Sequence, residues 1–213
     1  MSLTQALAEA RQGFIAHTPL EIQTKMFRQI RELQESGIAY GRQEGQKAKD
    51  FILKNALGEP VNLFDELSKG PVVLTFYRGG WCPFCNTQLK AYQKLLPEIE
   101  ALGGQLIAVS PQSPDNTLSQ QEKEELTFQV LSDTNGLVAA IYNILYDIPD
   151  YIQDIMKQMG MDLAVYNATN RWILPIPSTF MIDESGIIRS AHVNPDFMQR
   201  LDPENILHEL RKL

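Results

Sequence analysis

Cysteine and histidine are scarce in this chain of 213 residues: Cys82 and Cys85 are the only cysteines, and His17, His192 and His208 the only histidines. Two cysteines in so long a chain exclude the disulfide framework that staples small secreted domains. A bridge across so small a loop would constrain the unfolded chain by only roughly 2 kcal/mol, less than the same bond closing a long loop. A zinc site would need a second ligand pair, and the scattered histidines do not supply one, so neither a metal nor any other cofactor is expected. Long apolar runs are missing too, which argues against a membrane-spanning helix. The opening MSLTQALAEARQGF has neither a basic start nor an apolar core, so the expected compartment is the cytoplasm. Runs of one charge sign are short and the net charge is -7, which excludes the basic footprint of a nucleic-acid binder or a polybasic membrane patch.

What the chain does have is apolar material, 44% of its residues, enough for one core. Residues 1–44 read as a helical extension and linker. Leu3, Ala6, Leu7, Ala10 and Phe14 recur at helical spacing, as do Ile22, Met26, Ile30 and Leu33. Thr18 to Glu21, TPLE, has the form of a capping box with Pro19 at the first helical position, and Gly37 is the stop. Residues 45–213 read as the main domain. PVVLTFY is an apolar run suited to a strand buried on both faces. From Pro83 a helix runs toward Gly103, with a kink or break expected at Pro97. QLIAVS is a strand, PDNTLSQQEKEEL a helix, FQVLSD a strand and NGLVAAIYNI a helix. STFMIDESGIIRSAHV forms a hairpin, and DPENILHELRKL a last helix opened by Asp202 and Pro203. Alternating strands and helices predict a layered α/β sheet, with residues 145–177 as an insertion carrying a short helix of its own.

The chemistry concentrates in Tyr77 to Cys85, YRGGWCPFC. This stretch stands where an apolar strand ends and a helix begins, the end of an open α/β sheet at which ligands commonly bind. Pro83 fits the first helical position, which makes Cys82 the N-cap and sets Cys85 in the first turn. Unpaired backbone N–H groups and the helix dipole favour thiolate there. Arg78 adds positive charge if it turns back across the loop, Gly79 and Gly80 permit the tight path, and Trp81 shields one side of the sulfurs. Two thiols at this spacing can join with little rearrangement, so an oxidised sulfur is resolved by its neighbour before it is over-oxidised. A pair of inert buried cysteines is the competing reading.

At these residues the chain resembles the thioredoxin-fold superfamily, and within it the peroxiredoxin-like proteins of the alkyl hydroperoxide reductase and thiol-specific antioxidant family. KAKDFILKNALGEPVNLFDELSKGPVVLTFY, LIAVSPQSPD, FQVLSDTNGLVAAIYNI and STFMIDESGIIR carry the likeness, over about residues 45–144 and 175–213. It implies a thioredoxin-like α/β fold, a central mixed sheet flanked by helices. The family's PxxxTxxC motif falls on Arg78, Cys82 and Cys85, and only the last matches. That alignment nominates Cys85 as the peroxidatic thiol. Where peroxiredoxins that resemble this hairpin place an arginine before STF, this chain has Pro177. FYRGGWCPFC also resembles the thioredoxin Trp-Cys-x-x-Cys site, with Pro177 at the position of its cis-proline and so a substrate-docking residue beside Trp81. Thioredoxin's buried acid is replaced by Phe76. The thioredoxin pattern and the N-cap position nominate Cys82 as the more accessible, attacking thiol.

The resemblance implies a thiol-dependent peroxidase that reduces hydrogen peroxide or organic hydroperoxides through a Cys82–Cys85 disulfide, recycled by a thioredoxin or glutathione system. A thiol-disulfide oxidoreductase and a non-enzymatic redox sensor that binds a partner through its arm are the alternatives. Apolar stripes on the arm point to a homodimer unless they pack back on the domain. Whether Arg200, in FMQRLDPENI, reaches the thiols is left open.

Overall fold

A computed structural model describes residues 1–38 and 40–213. In chain order its elements are α1 (Leu3–His17), α2 (Leu20–Glu35), β1 (Ile52–Asn55), β2 (Pro60–Asn62), α3 (Leu63–Leu67), β3 (Val72–Phe76), α4 (Pro83–Ala101) and β4 (Gln105–Ser110). There follow α5 (Pro114–Glu124), β5 (Gln129–Ser132), α6 (Leu137–Ile141), β6 (Leu145–Asp147), α7 (Asp150–Gln158), α8 (Leu163–Tyr166), β7 (Ile173–Pro175), β8 (Ser178–Ile182), β9 (Ile188–Val193) and α9 (Pro203–Leu210). The central sheet has the order β2-β1-β5-β4-β3-β8-β9. Strands β3, β4 and β5 run parallel, and the remaining pairs are antiparallel. This is the mixed sheet flanked by helices that the sequence predicts for a thioredoxin-like fold.

Strand β3 shows why its sequence is apolar throughout. Val72, Leu74 and Phe76 point into one core cluster and Val73, with Tyr77 just beyond the strand, into the other, so both faces are covered. Helix α4 lies over the second face through Leu89, Tyr92, Leu96 and Ile99. It runs through Pro97 to Ala101 without the expected interruption. Pro97 is exposed, so the carbonyl left without an amide partner faces water.

Helices α1 and α2 pack back on the same chain. Leu3, Leu7 and Ile30 are buried in the cluster that covers α4, and Ile22, Met26 and Leu33 pack against the other. The stripes that pointed to a homodimer are therefore covered within one chain. The capping box expected at Thr18 is not formed: α2 opens from Pro19, while the Gln23 amide donates to the carbonyls of Ile15 (2.9 Å) and Thr18 (2.7 Å) and fixes the corner between the helices. The box occurs instead at α1, where Ser2 and Gln5 exchange backbone and side-chain bonds. Residues 145–177 hold a second, two-stranded sheet, β6 with β7, and the helices α7 and α8. Among the described residues no helix is long and apolar enough to cross a membrane.

Candidate active site

Past Phe76 the chain follows β4 for one more residue, with Tyr77 N donating to Val109 O at 3.0 Å, and then turns. Gly79 has φ +144°, and a Cβ there would stand 2.5 Å from Trp81 Nε1, so glycine is required. A buried polar network holds the turn. Gly80 N donates to Gln112 Oε1 at 2.9 Å, Asn86 Nδ2 to Gly80 O at 2.8 Å, and Gln120 ties Asn86 to Tyr77. Cys82 is the N-cap of α4 with Pro83 behind it, and its carbonyl accepts from the amides of Cys85 (3.0 Å) and Asn86 (3.1 Å). The local geometry read from the sequence is the one observed.

Exposure departs from that reading. Cys82 is 1% exposed and Cys85 0%, so neither sulfur is open to large reactants and Cys82 is not the accessible member of the pair. Trp81 packs against the cluster that holds both cysteines. The segment between β9 and α9 joins the same cluster and lays Phe197 edge-on against Phe84, ring centroids 5.7 Å apart. Arg78, itself 3% exposed, is sandwiched with its guanidinium carbon 4.8 Å from the Trp81 ring and 4.3 Å from that of Phe197. Tyr146, from the 145–177 insertion, stands beside Arg78. Arg78 Nε and Trp81 Nε1 are buried with no hydrogen-bond partner among the described residues.

The same covering segment delivers Arg200. Its Nη2 donates to Cys85 Sγ at 3.2 Å, its Nε to Gln88 Oε1 at 2.6 Å, and its Nη1 to the carbonyls of Phe197 and Gln199. The arginine absent at position 177 thus has a counterpart that arrives from elsewhere in the chain. Pro177 is buried, one residue beyond the Phe76–Ser178 pair and level with Tyr77. The described peptide bonds, Ile176–Pro177 included, are trans. The cis geometry on which its docking role rested is not there.

These surroundings pull the two sulfurs apart in proton affinity. Burial raises the Cys85 thiol, but the hydrogen bond from Cys82 and the charges of Arg200 and Arg78 outweigh it and bring its pKa down to about 5. Burial raises Cys82 as well, and its hydrogen bond to Cys85 and the charge there push it further, well above the ordinary thiol range. These surroundings favour the negative charge on Cys85 and the proton on Cys82. The N-cap position nominates Cys82 and the family motif Cys85. Sequence reasoning left Arg200 undecided and passed over Gln88, Tyr146 and Phe197. Gln88 carried a usable signal, a lone amide on the apolar stripe of α4; the others touch the site only through tertiary folding.

Comparison with known proteins agrees with this architecture. Thioredoxin-like protein YneN of Bacillus subtilis is 30% identical over 167 residues, which cover 76% of this chain and 81% of that protein. Chloroplastic peroxiredoxin Q of Sedum lineare is 24% identical over 170 residues, covering 80% of this chain and 76% of its own length. Among solved structures, peroxidoxin BcpB from Mycobacterium tuberculosis superposes with a TM-score of 0.63 at 22% identity, covering 80% of this chain and 97% of that one. Residues 44–191, which include the thiol loop and all of the central sheet but the end of β9, match the AhpC/TSA family, and the chain belongs to that family.

Proposed function

We propose that the protein is a thiol-dependent peroxidase in which Cys85 attacks and Cys82 resolves. The observation that carries this reading is the contact of Arg200 Nη2 with Cys85 Sγ at 3.2 Å, on a sulfur that also receives the proton of Cys82. The Cys85 thiolate attacks one peroxide oxygen, the O–O bond breaks, and Cys85 becomes a sulfenic acid. The departing alkoxide takes the Cys82 proton and leaves as an alcohol, or as water when the substrate is hydrogen peroxide. Cys82, now a thiolate, attacks the Cys85 sulfur; the S–S bond forms and hydroxide leaves. Two electrons and one proton from a thioredoxin or glutathione system return the pair to one thiolate and one thiol. Arg78 Nε and Trp81 Nε1, donors without acceptors, are available to the oxygens of a bound peroxide.

Burial selects the substrate. With the two cysteines at most 1% exposed, every substrate needs some opening of the cover, and hydrogen peroxide, little larger than water, needs far less of it than a protein disulfide. The likeness to thioredoxin-like protein YneN supports a second reading, a thiol-disulfide oxidoreductase. The cytoplasm, whose thiol pool keeps such a pair reduced, is the compartment that suits either.

Steady-state peroxide reduction by the parent, Cys82→Ser and Cys85→Ser tests the assignment. Cys85→Ser is expected to lose the activity, and Cys82→Ser to stop after one turnover with a sulfenic acid that a dione reagent traps. A parent rate no faster than that of free cysteine removes the peroxidase reading, and a Cys85→Ser variant of undiminished rate removes the roles.

A further inference from the structure

We propose that α1 is the latch of the thiol cover: Thr4 and Arg11 hold residues 196–202 at both ends, and release of that segment from α1 is the opening through which reactants reach Cys85. Only the identity of the reactant rests on the peroxidase reading.

Residues 196–202 carry Phe197 and Arg200, and their main chain is bonded largely to itself. The amide of Asp196 donates to Asn194 Oδ1 (2.9 Å), that of Met198 to Asp196 Oδ1 (3.0 Å) and that of Gln199 to Asp196 O (2.9 Å). The carbonyls of Phe197 and Gln199 accept from Arg200. A stretch closed on itself in this way moves as a unit. Side chains fasten it to the rest: Tyr92 OH donates to Leu201 O at 3.1 Å, Arg200 holds Gln88 and Cys85, and two acids reach α1.

The acids stand at the two ends. Asp196 gives Oδ1 to its own segment and Oδ2 to Arg11 Nη1 at 3.5 Å. Asp202 gives Oδ1 to Glu204 N at 3.1 Å and Oδ2 to Thr4 Oγ1 at 2.8 Å. Thr4 and Arg11 are two helical turns apart, so they share one face of α1 with Leu7 between them. Leu3 and Leu7 are buried in the same apolar cluster as Phe197, Met198 and the two cysteines. Helix α1 therefore runs antiparallel to the segment, with Thr4 on Asp202 and Arg11 on Asp196.

Two features make this joint the place that opens. Packing between the two pins is incomplete: a cleft of about 210 Å³, whose walls include Thr4, Leu7, Arg11, Met198 and Arg200, separates helix from segment. Arg200 belongs to both sides of the barrier, since it lines this cleft and donates to Cys85 Sγ. The pins are also easily released. The Arg11 and Asp196 side chains are 39% and 14% exposed, and an ion pair near the surface shifts an equilibrium by at most about fivefold.

The test is the rate at which N-ethylmaleimide labels Cys85 in the reduced full-length protein, with amide exchange and peroxide consumption measured alongside. Arg11→Met loses the charge and keeps a side chain that reaches the Phe27 ring, over which the Arg11 guanidinium carbon lies at 5.8 Å. Thr4→Val loses the hydroxyl at nearly equal size. Each is expected to quicken labelling about threefold and the double variant about tenfold, with peroxide consumption rising alongside. Exchange should quicken over residues 196–200 and stay unchanged in β3 and β4. Labelling of the double variant within about twofold of the parent, with peroxide consumption intact, overturns the latch and leaves the peroxidase reading standing. Exchange that quickens equally in β3 and β4 overturns it too, because α1 then only adds stability to the domain. Faster labelling without faster peroxide consumption in an active protein overturns the opening as the route of the substrate. Faster labelling beside a parent peroxide rate no better than that of free cysteine supports the latch and removes the peroxidase reading. Should the double variant not fold, the parent decides: added salt screens Arg11 from Asp196, and a labelling rate indifferent to salt overturns the proposal.

Discussion

Replacing Arg200 by methionine removes a full charge from 3.2 Å beside Cys85 while keeping an apolar side chain of similar reach under Phe197. An opposite charge at this range depresses an acid by about 1–3 pKa units, and Arg200 ranks after the Cys82 hydrogen bond among the influences that bring Cys85 to about 5. Loss of Arg200 should therefore carry the thiol from about 5 to about 7, with the Cys82 bond and Arg78 still acting. The consequence depends on pH. At about pH 5.5 the anionic fraction falls from about three quarters to about 3%, a loss of about 25-fold in the second-order rate with peroxide. At about pH 8.5 both proteins are almost fully ionised and their rates converge. Stopped-flow peroxide consumption across that range is the assay. A defect of the same ratio at every pH would mean that Arg200 shapes the site without charging the thiolate, and would refute the electrostatic account.

The depressed Cys85 pKa also links stability to pH. Its contribution is present above the unfolded thiol value of about 8.5 and is lost as pH falls through about 5, so denaturant midpoints of the reduced protein should decline across that window, and those of Cys85→Ser should decline less, by the share that His192, lowered by burial, contributes in both proteins. Gly79→Ala would force a Cβ to 2.5 Å from Trp81 Nε1 at a φ of +144°; a loss of about 1–3 kcal/mol is expected in urea unfolding, together with faster alkylation of the thiols. Disulfide formation deletes the negative charge that Arg78 and Arg200 share at Cys85, leaving one buried and one half-buried cation. Amide exchange over residues 196–200 should consequently be faster in the oxidised protein than in the reduced one, and equal rates would contradict this.

The site's local frame was legible because local rules write it. Pro83 starts α4, Cys82 precedes it, Gly79 lets the loop turn, and Asp202 with Pro203 opens α9, each from neighbours a few residues away. Of the kink or break expected at Pro97 the break does not occur, because the cost of a proline inside a helix depends on which side faces water, a tertiary fact. The Thr18 box failed for a similar reason, since Gln23 bonds the carbonyls at that corner and the chain enters α2 through Pro19.

The choice between the two sulfurs is where two local rules disagree, the N-cap position nominating Cys82 and the family motif Cys85. A helix N-terminus favours anionic sulfur at both Cys82 and Cys85, and the pair has room for only one anion, so the local field cannot rank them. What breaks the tie is a guanidinium from 115 residues further along the chain, bonded also to an amide that looks in sequence like a stray polar residue on an apolar stripe. Its side of the pair also decides the chemistry that follows. Because Arg200 draws the negative charge onto Cys85, Cys82 keeps its proton, and that proton is what a departing alkoxide requires in a site closed to water. Arg78 stands close to both sulfurs, whereas Arg200 donates to Cys85. Two thiols at a helix mouth make disulfide chemistry available; an arginine bonded to Cys85 gives the pair an order.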